Sequence, residues 1–370
     1  MAKKKLVYIV SDVEKSLAFE WTAEHLRSRF DLFFLLLGKK ETPLTHFLDA
    51  SSIRYGVIAD ADYPSRIKQW FLIFGVLRRE KPAIVHIHLW RAMLLGLPAA
   101  WLLRVPRRIF TRHHATLHHR EHPSGLKWDK LCNSLATDII AISANIRQLL
   151  IEQEGVPARK VHLVHHGFDL QYFYNTDSNR VSHLRHKIGL DNVSGPVVGV
   201  IARYTEWKGI QFTIQAFEQV LKQYPTATLV LANAHGDYAV TLRTLLNALP
   251  EERYVEIAFE EDLSSLYRLF DVFVHVPTDP YAEAFGQTYV EALAAGVPSV
   301  FTRSGVACEF IEDGQNALVV KYCDAEDTRR AIVELLENKD LRDKLVAGGR
   351  SSVKQFELKN MLNKLDALYA

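Results

Sequence analysis

Apolar residues along this chain come in short unbroken runs, and between the runs the spacing shifts to the period of amphipathic helices. In the first half the runs are KLVYIV, DLFFLLL, YGVIA, IVHIHL, RRIFTR, DIIAIS and VHLVHHG. In the second half they are PVVGVIA, ATLVLAN, YVEIAFE, VFVHVP, PSVFT and ALVV. Continuous runs of this kind, as opposed to alternating ones, suit parallel strands covered by helices on both faces. The pattern therefore predicts an α/β protein built of two doubly wound halves. The polar, turn-rich stretch NTDSNRVSHLRHKIGLDNVSGP, residues 175–196, is read as the link. That places a first domain over 1–178 and a second over 190–350. In open sheets ligands lie outside the carboxyl ends of the strands, so two such domains facing each other would enclose a cleft.

A length of 370 residues suits two cores better than one, and 48% hydrophobic with 24% charged residues is the balance of a folded enzyme. The formal net charge is +2, so no global field favours nucleic acid. Cys132, Cys308 and Cys323 are scattered, without CxxC spacing. That argues against a disulfide framework or a zinc knuckle and makes a reducing cytoplasm the expected compartment. The lysines at the start are followed by an apolar run that ends at Val10, too short for a secretory signal and right for a buried first strand. The longest apolar stretch, LWRAMLLGLPAAWLLRVP (89–106), is broken by Arg91, Pro98 and Arg104 and reads as a buried helix, not a membrane span.

Candidate chemistry concentrates in EAFGQTYVEALAAGVPSVFTRSG, residues 283–305. A helix is expected from about Gly286 to Gly296, with glycine past its end and Pro298 preventing continuation. Its first turn offers free backbone N–H groups and the positive end of the dipole, a setting for a phosphate. Glu283 lies just outside that terminus and Glu291 inside the helix, roughly 10–12 Å apart along the axis at about 1.5 Å per residue. One carboxylate on a sugar and one on a ribose, with a diphosphate between, would fit that separation. Either glutamate alone reads more simply as a solvated surface charge. A second constellation shifts the balance: after VVGVIA comes RYTEWKG, where Arg203 and Lys208 follow a strand's carboxyl end and would neutralise a diphosphate leaving group. No Walker P-loop is present.

Arg203 and Lys208-Gly, followed by Glu283-Ala-Phe-Gly and Glu291-Ala-Leu-Ala-Ala-Gly-x-Pro, resemble the signature of the retaining GT-B glycosyltransferases of glycosyltransferase family 4. IVHIH (84–88), FTRHH (110–114), AIS (141–143) and HHGFDLQYF (165–173) extend the resemblance over most of the chain. It implies two Rossmann-like domains, with a final helix, 351–370, packing back on the first. It further implies transfer of a hexose-type sugar from a nucleoside diphosphate donor to a hydroxyl of a glycan or glycolipid, with retention, as in polysaccharide biosynthesis. In this reading Arg203 and Lys208 grip the diphosphate and Glu291 takes the ribose hydroxyls. Glu283 meets the donor sugar, helped by backbone N–H groups from Phe285 through Gly286 and Gln287 to Thr288, and His113 stands at the catalytic centre. The nucleotide sugar is a substrate; no cofactor and no metal are expected. An epimerase of similar fold and a non-catalytic carbohydrate-binding scaffold are the alternatives.

Two segments depart from the family pattern. The first loop, SDVEKSLAFEW (11–21), lacks glycine, which draws attention to Lys15 and Glu20. The turn ANAHGD (232–237) replaces a glycine-rich one and leaves the nucleobase open. In RHHATLHHREH (112–122), His114, His118 and His122 have the spacing of one helical face, but no carboxylate or cysteine set completes a metal site, and an acceptor-pocket or plain hydrogen-bonding role is preferred. Alternation sends His113 and His114 to opposite sides, so only one can easily reach a donor sugar. The resemblance, through the family's Thr-x-His pattern, implies His113, and His114 is held in reserve. SRIKQWFLIFGVLRREKP (65–82) mixes aromatics with basic residues. A core-facing helix with solvated basic ends is favoured there over peripheral contact with anionic lipid.

Overall fold

The computed structural model describes residues 3–115 and 123–370. The chain divides into two units, the first running to Phe168 and completed by Leu358–Ala370, the second spanning Asp169–Glu357. Every apolar run quoted above contains a strand.

The first unit holds β1 (Lys5–Ser11), β2 (Asp31–Gly38), β3 (Arg54–Ala59), β4 (Ile84–His88), β5 (Arg107–Arg112), β6 (Asp138–Ala141) and β7 (Val161–Leu163). They form one parallel sheet in the order β3-β2-β1-β4-β5-β6-β7. The β1–β2 register runs from Lys5 opposite Asp31 to Ser11 opposite Leu37. Residues Leu6 to Val10 are at most 1% exposed, as expected of a strand buried on both faces. The order turns outward in both directions from β1 and β4, which makes their carboxyl ends the topological switch point.

The second unit holds β8 (Val197–Ile201), β9 (Thr228–Ala232), β10 (Tyr254–Ile257), β11 (Val272–His275), β12 (Ser299–Phe301) and β13 (Leu318–Val319). Their order is β10-β9-β8-β11-β12-β13, again parallel, with the switch between β8 and β11. Its core packs Val198, Val200, Leu229, Leu231, Val272 and Val274 against Ile214 and Phe217 of the helix Ile210–Gln223.

Two expectations need correction. The chain passes between units at Phe168–Asp169, before the polar stretch 175–196, which folds into the helix Ser178–Lys187 with Asp177 accepting from the Asn179 N–H at its start. The segment that rejoins the first unit begins at Leu358, not at 351, because the helix Lys339–Ser352 and the turn Val353–Phe356 still belong to the second. Its entry is tight: the Leu358 N–H donates to the Phe168 carbonyl at 2.8 Å, and a Cβ on Gly167 would stand 2.9 Å from the Leu358 Cα. That close approach accounts for the glycine in HHGFD. The helix Arg66–Glu80 faces the core as expected, burying Gln69, Ile73, Leu77 and Glu80, and Ile67 and Phe71 stand on its other face, 70% and 63% exposed. The Trp90–Leu102 helix contains Pro98 and buries Ala92, Met93 and Leu97. Among the described residues no helix is long and apolar enough to cross a membrane.

Candidate active site

The turn after β8 is pressed onto the turn after β11. Arg203 is exposed just beyond β8, and no hydrogen bond or ion pair among the described residues holds its guanidinium. A short 3-10 turn, Glu206–Lys208, then leads to Gly209 at φ +72°, where a Cβ would lie 1.8 Å from the Val276 carbonyl oxygen. Only glycine fits there, by conformation and by space. The Thr278 N–H donates to the Trp207 carbonyl at 3.0 Å and ties the two turns together. Lys208 stacks over the Trp207 ring, 4.4 Å from its centroid, a cation–π contact that aims the ammonium away from bulk water.

Lys208 then reaches Glu283. Its Nζ donates to Glu283 Oε1 at 2.6 Å, and His275, the last residue of β11, places Nε2 at 2.9 Å from the same oxygen. The Glu283 N–H donates to Ser304 Oγ at 2.9 Å, which fixes the backbone beneath the carboxylate. Glu283 is buried, and burial alone would push its carboxyl up; the Lys208 ammonium and the His275 hydrogen bond outweigh this and hold it down at about 2. Burial pushes His275 below the usual histidine range despite its carboxylate neighbour, so the ring is neutral.

Next to this pair the helix Gln287–Ala295 begins with Gly286 as N-cap and ends on Gly296, both left-handed. Gly286 has no side chain to occupy the N–H groups of the first turn, where Gln287 is exposed and Thr288 half-buried. Phe285 is buried and its carbonyl accepts from the Val306 N–H at 2.9 Å. Glu291, one helical stretch further on, is buried and accepts from the Tyr267 hydroxyl at 2.9 Å. Burial pushes its carboxyl up to about 7 against that hydrogen bond, so near neutral pH it exchanges a proton readily.

In the first unit His113 follows β5 directly. Its Nε2 lies 3.1 Å from His88 Nδ1, and its ring stacks on His166 at 5.7 Å between centroids. His86, two residues before His88 on β4, bonds through Nε2 to Thr111 Oγ1 at 2.8 Å and through Nδ1 to the Tyr369 hydroxyl of the returning helix. Burial pushes His86 down to about 3 and His166 to about 4, and holds His88 and His113 well below the ordinary range. The cluster is therefore uncharged at neutral pH. His114 faces elsewhere, toward Asp129 Oδ2 at 3.3 Å, beside the fully buried Arg112 that pairs with Asp129 and Glu154.

Of the residues expected to share a site, the fold unites Lys208 and Glu283; it sets Glu291 on the helix that follows Glu283, with a different partner. His275, Ser304 and Tyr267 were not foreseen, because a histidine ending an apolar run and hydroxyls in short turns carry no spacing signal. The glycine-free first loop puts Asp12, a non-glycine, at φ 58° and pairs it with Arg91 at 2.8 Å. In the ANAHGD turn the His235 carbonyl accepts from the Tyr204 N–H at 2.9 Å, joining it to the loop after β8. Among the described residues no group of three His, Cys, Asp or Glu side chains is arranged to hold a metal ion. His118 and His122 lie outside the described residues.

The family described as Glycosyltransferase Family 4 matches residues 22–172, and that described as Glycosyl transferases group 1 matches residues 184–352. The chain is 27% identical over 316 residues to the capsular polysaccharide biosynthesis glycosyltransferase CapM of Staphylococcus aureus, covering 82% of this chain and 81% of that one. It is 24% identical to the alpha-monoglucosyldiacylglycerol synthase of Acholeplasma laidlawii, over 79% of this chain and 76% of that one. The solved structure of Anabaena Alr3699/HepE in complex with UDP and glucose aligns with a TM-score of 0.84 at 21% identity, covering 99% of both chains. Two parallel Rossmann-like sheets of this topology, matched by both families in succession, make the chain a GT-B glycosyltransferase of the group 1, family 4 class.

Proposed function

We propose that this glycosyltransferase moves a hexose-type sugar from a nucleoside diphosphate to a hydroxyl of a glycan or lipid-linked acceptor, with retention at the anomeric carbon. The observation that carries the proposal is the Lys208–Glu283 pair at the carboxyl edge of β8 and β11, beside an uncapped helix N-terminus. Cations and unpaired N–H groups favour a diphosphate there, and an ionised carboxylate favours sugar hydroxyls. Arg203 and Lys208 take the phosphates and stabilise the charge that builds on the leaving group; Phe285 to Thr288 add main-chain donors. Glu291 binds the ribose in its ionised form, and Glu283 orients the donor sugar. His113, neutral, hydrogen-bonds a sugar hydroxyl and shields the developing positive charge, with a leaving phosphate oxygen taking the acceptor proton.

The donor supplies the reactive group, so the reading calls for no resident cofactor. Relatives named for capsular polysaccharide and for diacylglycerol products support a glycan or lipid-linked acceptor. Exposed Ile67 and Phe71 on a helix carrying Arg66, Lys68, Arg78 and Arg79 favour peripheral contact with anionic lipid.

The test is product analysis. UDP-, GDP- and ADP-sugars are incubated with and without glycan and lipid acceptors, and the anomeric configuration of the product is read by NMR. The expected result is an acceptor-dependent product with the donor's configuration. An inverted product would overturn retention; a changed nucleotide sugar formed without acceptor would point to an epimerase.

A further inference from the structure

β11 is an apolar strand: Val272, Phe273 and Val274 are wholly buried, and its last residue, His275, is 2% exposed. The imidazole packs edge-on against Tyr289, with ring centroids 4.8 Å apart. One of its nitrogens, Nδ1, is buried with no hydrogen-bond partner among the described residues. A leucine or phenylalanine would fill this position without that cost, because a buried, unpartnered polar atom destabilises a fold. What the imidazole supplies is its other nitrogen, aimed at Glu283 Oε1 at 2.9 Å.

Glu283 is ionised and only accepts hydrogen bonds, so Nε2 must carry the ring proton, and Nδ1 keeps its lone pair. Lys208 donates to the same oxygen, and no hydrogen bond among the described residues falls on Oε2. We infer that His275 is a positioning residue of the donor site: by sharing Oε1 with Lys208 it fixes the Glu283 carboxylate so that Oε2 faces the sugar and the remaining Lys208 protons face the phosphate. This rests on the donor site proposed above. Without the imidazole, the Glu283 carboxylate would be held through Lys208 alone and could turn about that contact, so Oε2 would no longer be fixed toward the sugar.

Glutamine and asparagine separate this role from packing. The side-chain amide nitrogen of glutamine reaches about as far as imidazole Nε2, whereas that of asparagine reaches only as far as Nδ1. His275→Gln is expected to keep transfer within about threefold of wild type. His275→Asn is expected to lose about tenfold or more in kcat while affinity for the nucleoside diphosphate alone stays within about twofold. Long-range nitrogen-15 NMR of wild type should show a neutral Nε2–H tautomer, with its signal displaced in Glu283→Gln. Equal kcat in the two variants, or a Nδ1–H tautomer, would overturn the inference. If wild type transfers no sugar from any donor, the proposed function falls. The tautomer and its response to Glu283→Gln still decide the His275 contact in that case, and they also decide it if His275→Asn does not fold.

Discussion

Lys208, His275 and Glu283 at the edge of the second sheet, and His86, His88, His113 and His166 at the edge of the first, bury ionisable groups in opposite ways. In the second unit opposite charges face each other at 2.6 Å, and the carboxylate stays ionised although it is buried. In the first unit four imidazoles crowd one another, and burial leaves them neutral. The difference suits a division of labour. Under the proposed function, fixed charge would hold a charged diphosphate, and neutral hydrogen-bonding groups would hold a sugar without competing for its phosphates.

The sharpest way to break the comparison is to remove the fixed charge. Lys208→Ala and Arg203→Ala should each lose on the order of 10²-fold or more in turnover at saturating donor, as loss of a transition-state charge partner does. Lys208→Ala also leaves Glu283 buried without its cation, so it should lose thermal stability, whereas exposed Arg203→Ala should not. Near-normal turnover in both would show that fixed charge plays no part in catalysis.

The neutral side is tested by His113→Ala, which should lose most transfer activity while nucleotide affinity, read by calorimetry, is unchanged. Wild-type activity should survive exhaustive chelation. Activity abolished by chelation and restored by added zinc or manganese would make the histidines metal ligands. Activity lost in His114→Ala instead would move the role to the neighbour that faces Asp129.

Glu291 sharpens the comparison through pH. Its carboxyl is raised from the usual 4.5 to about 7, so the folded chain holds an extra proton between those values and loses stability as pH rises through them. In the proposed function ribose binding uses the ionised form, and on that reading affinity for the nucleoside diphosphate should rise about tenfold from pH 6 to pH 8. Glu291→Gln should weaken nucleotide binding and flatten this dependence. Glu283→Gln, whose group is ionised throughout that range, should leave nucleotide binding nearly intact and slow transfer.

The sheets were legible in the sequence because parallel strands buried on both faces leave continuous apolar runs, and the helix Gln287–Ala295 because Gly286 and Gly296 bracket it. The candidate donor residues were legible as types at strand ends. That Lys208 and Glu283 touch was not, since the contact depends on Gly209 letting one turn lie against the Val276 carbonyl. His275 was hidden because, at the end of VFVH, alternation alone cannot tell a packed imidazole from a hydrogen-bonded one. The passage between units was misplaced because polarity marks the exposed helix Ser178–Lys187 as readily as a linker.

The measurement closest to the central claim is a calorimetric titration of the wild-type chain with UDP, GDP and ADP, repeated with Lys208→Ala. The account predicts that at least one diphosphate binds wild type and that Lys208→Ala weakens it by about tenfold or more. Binding of none of the three, or equal affinity in the variant, would contradict it.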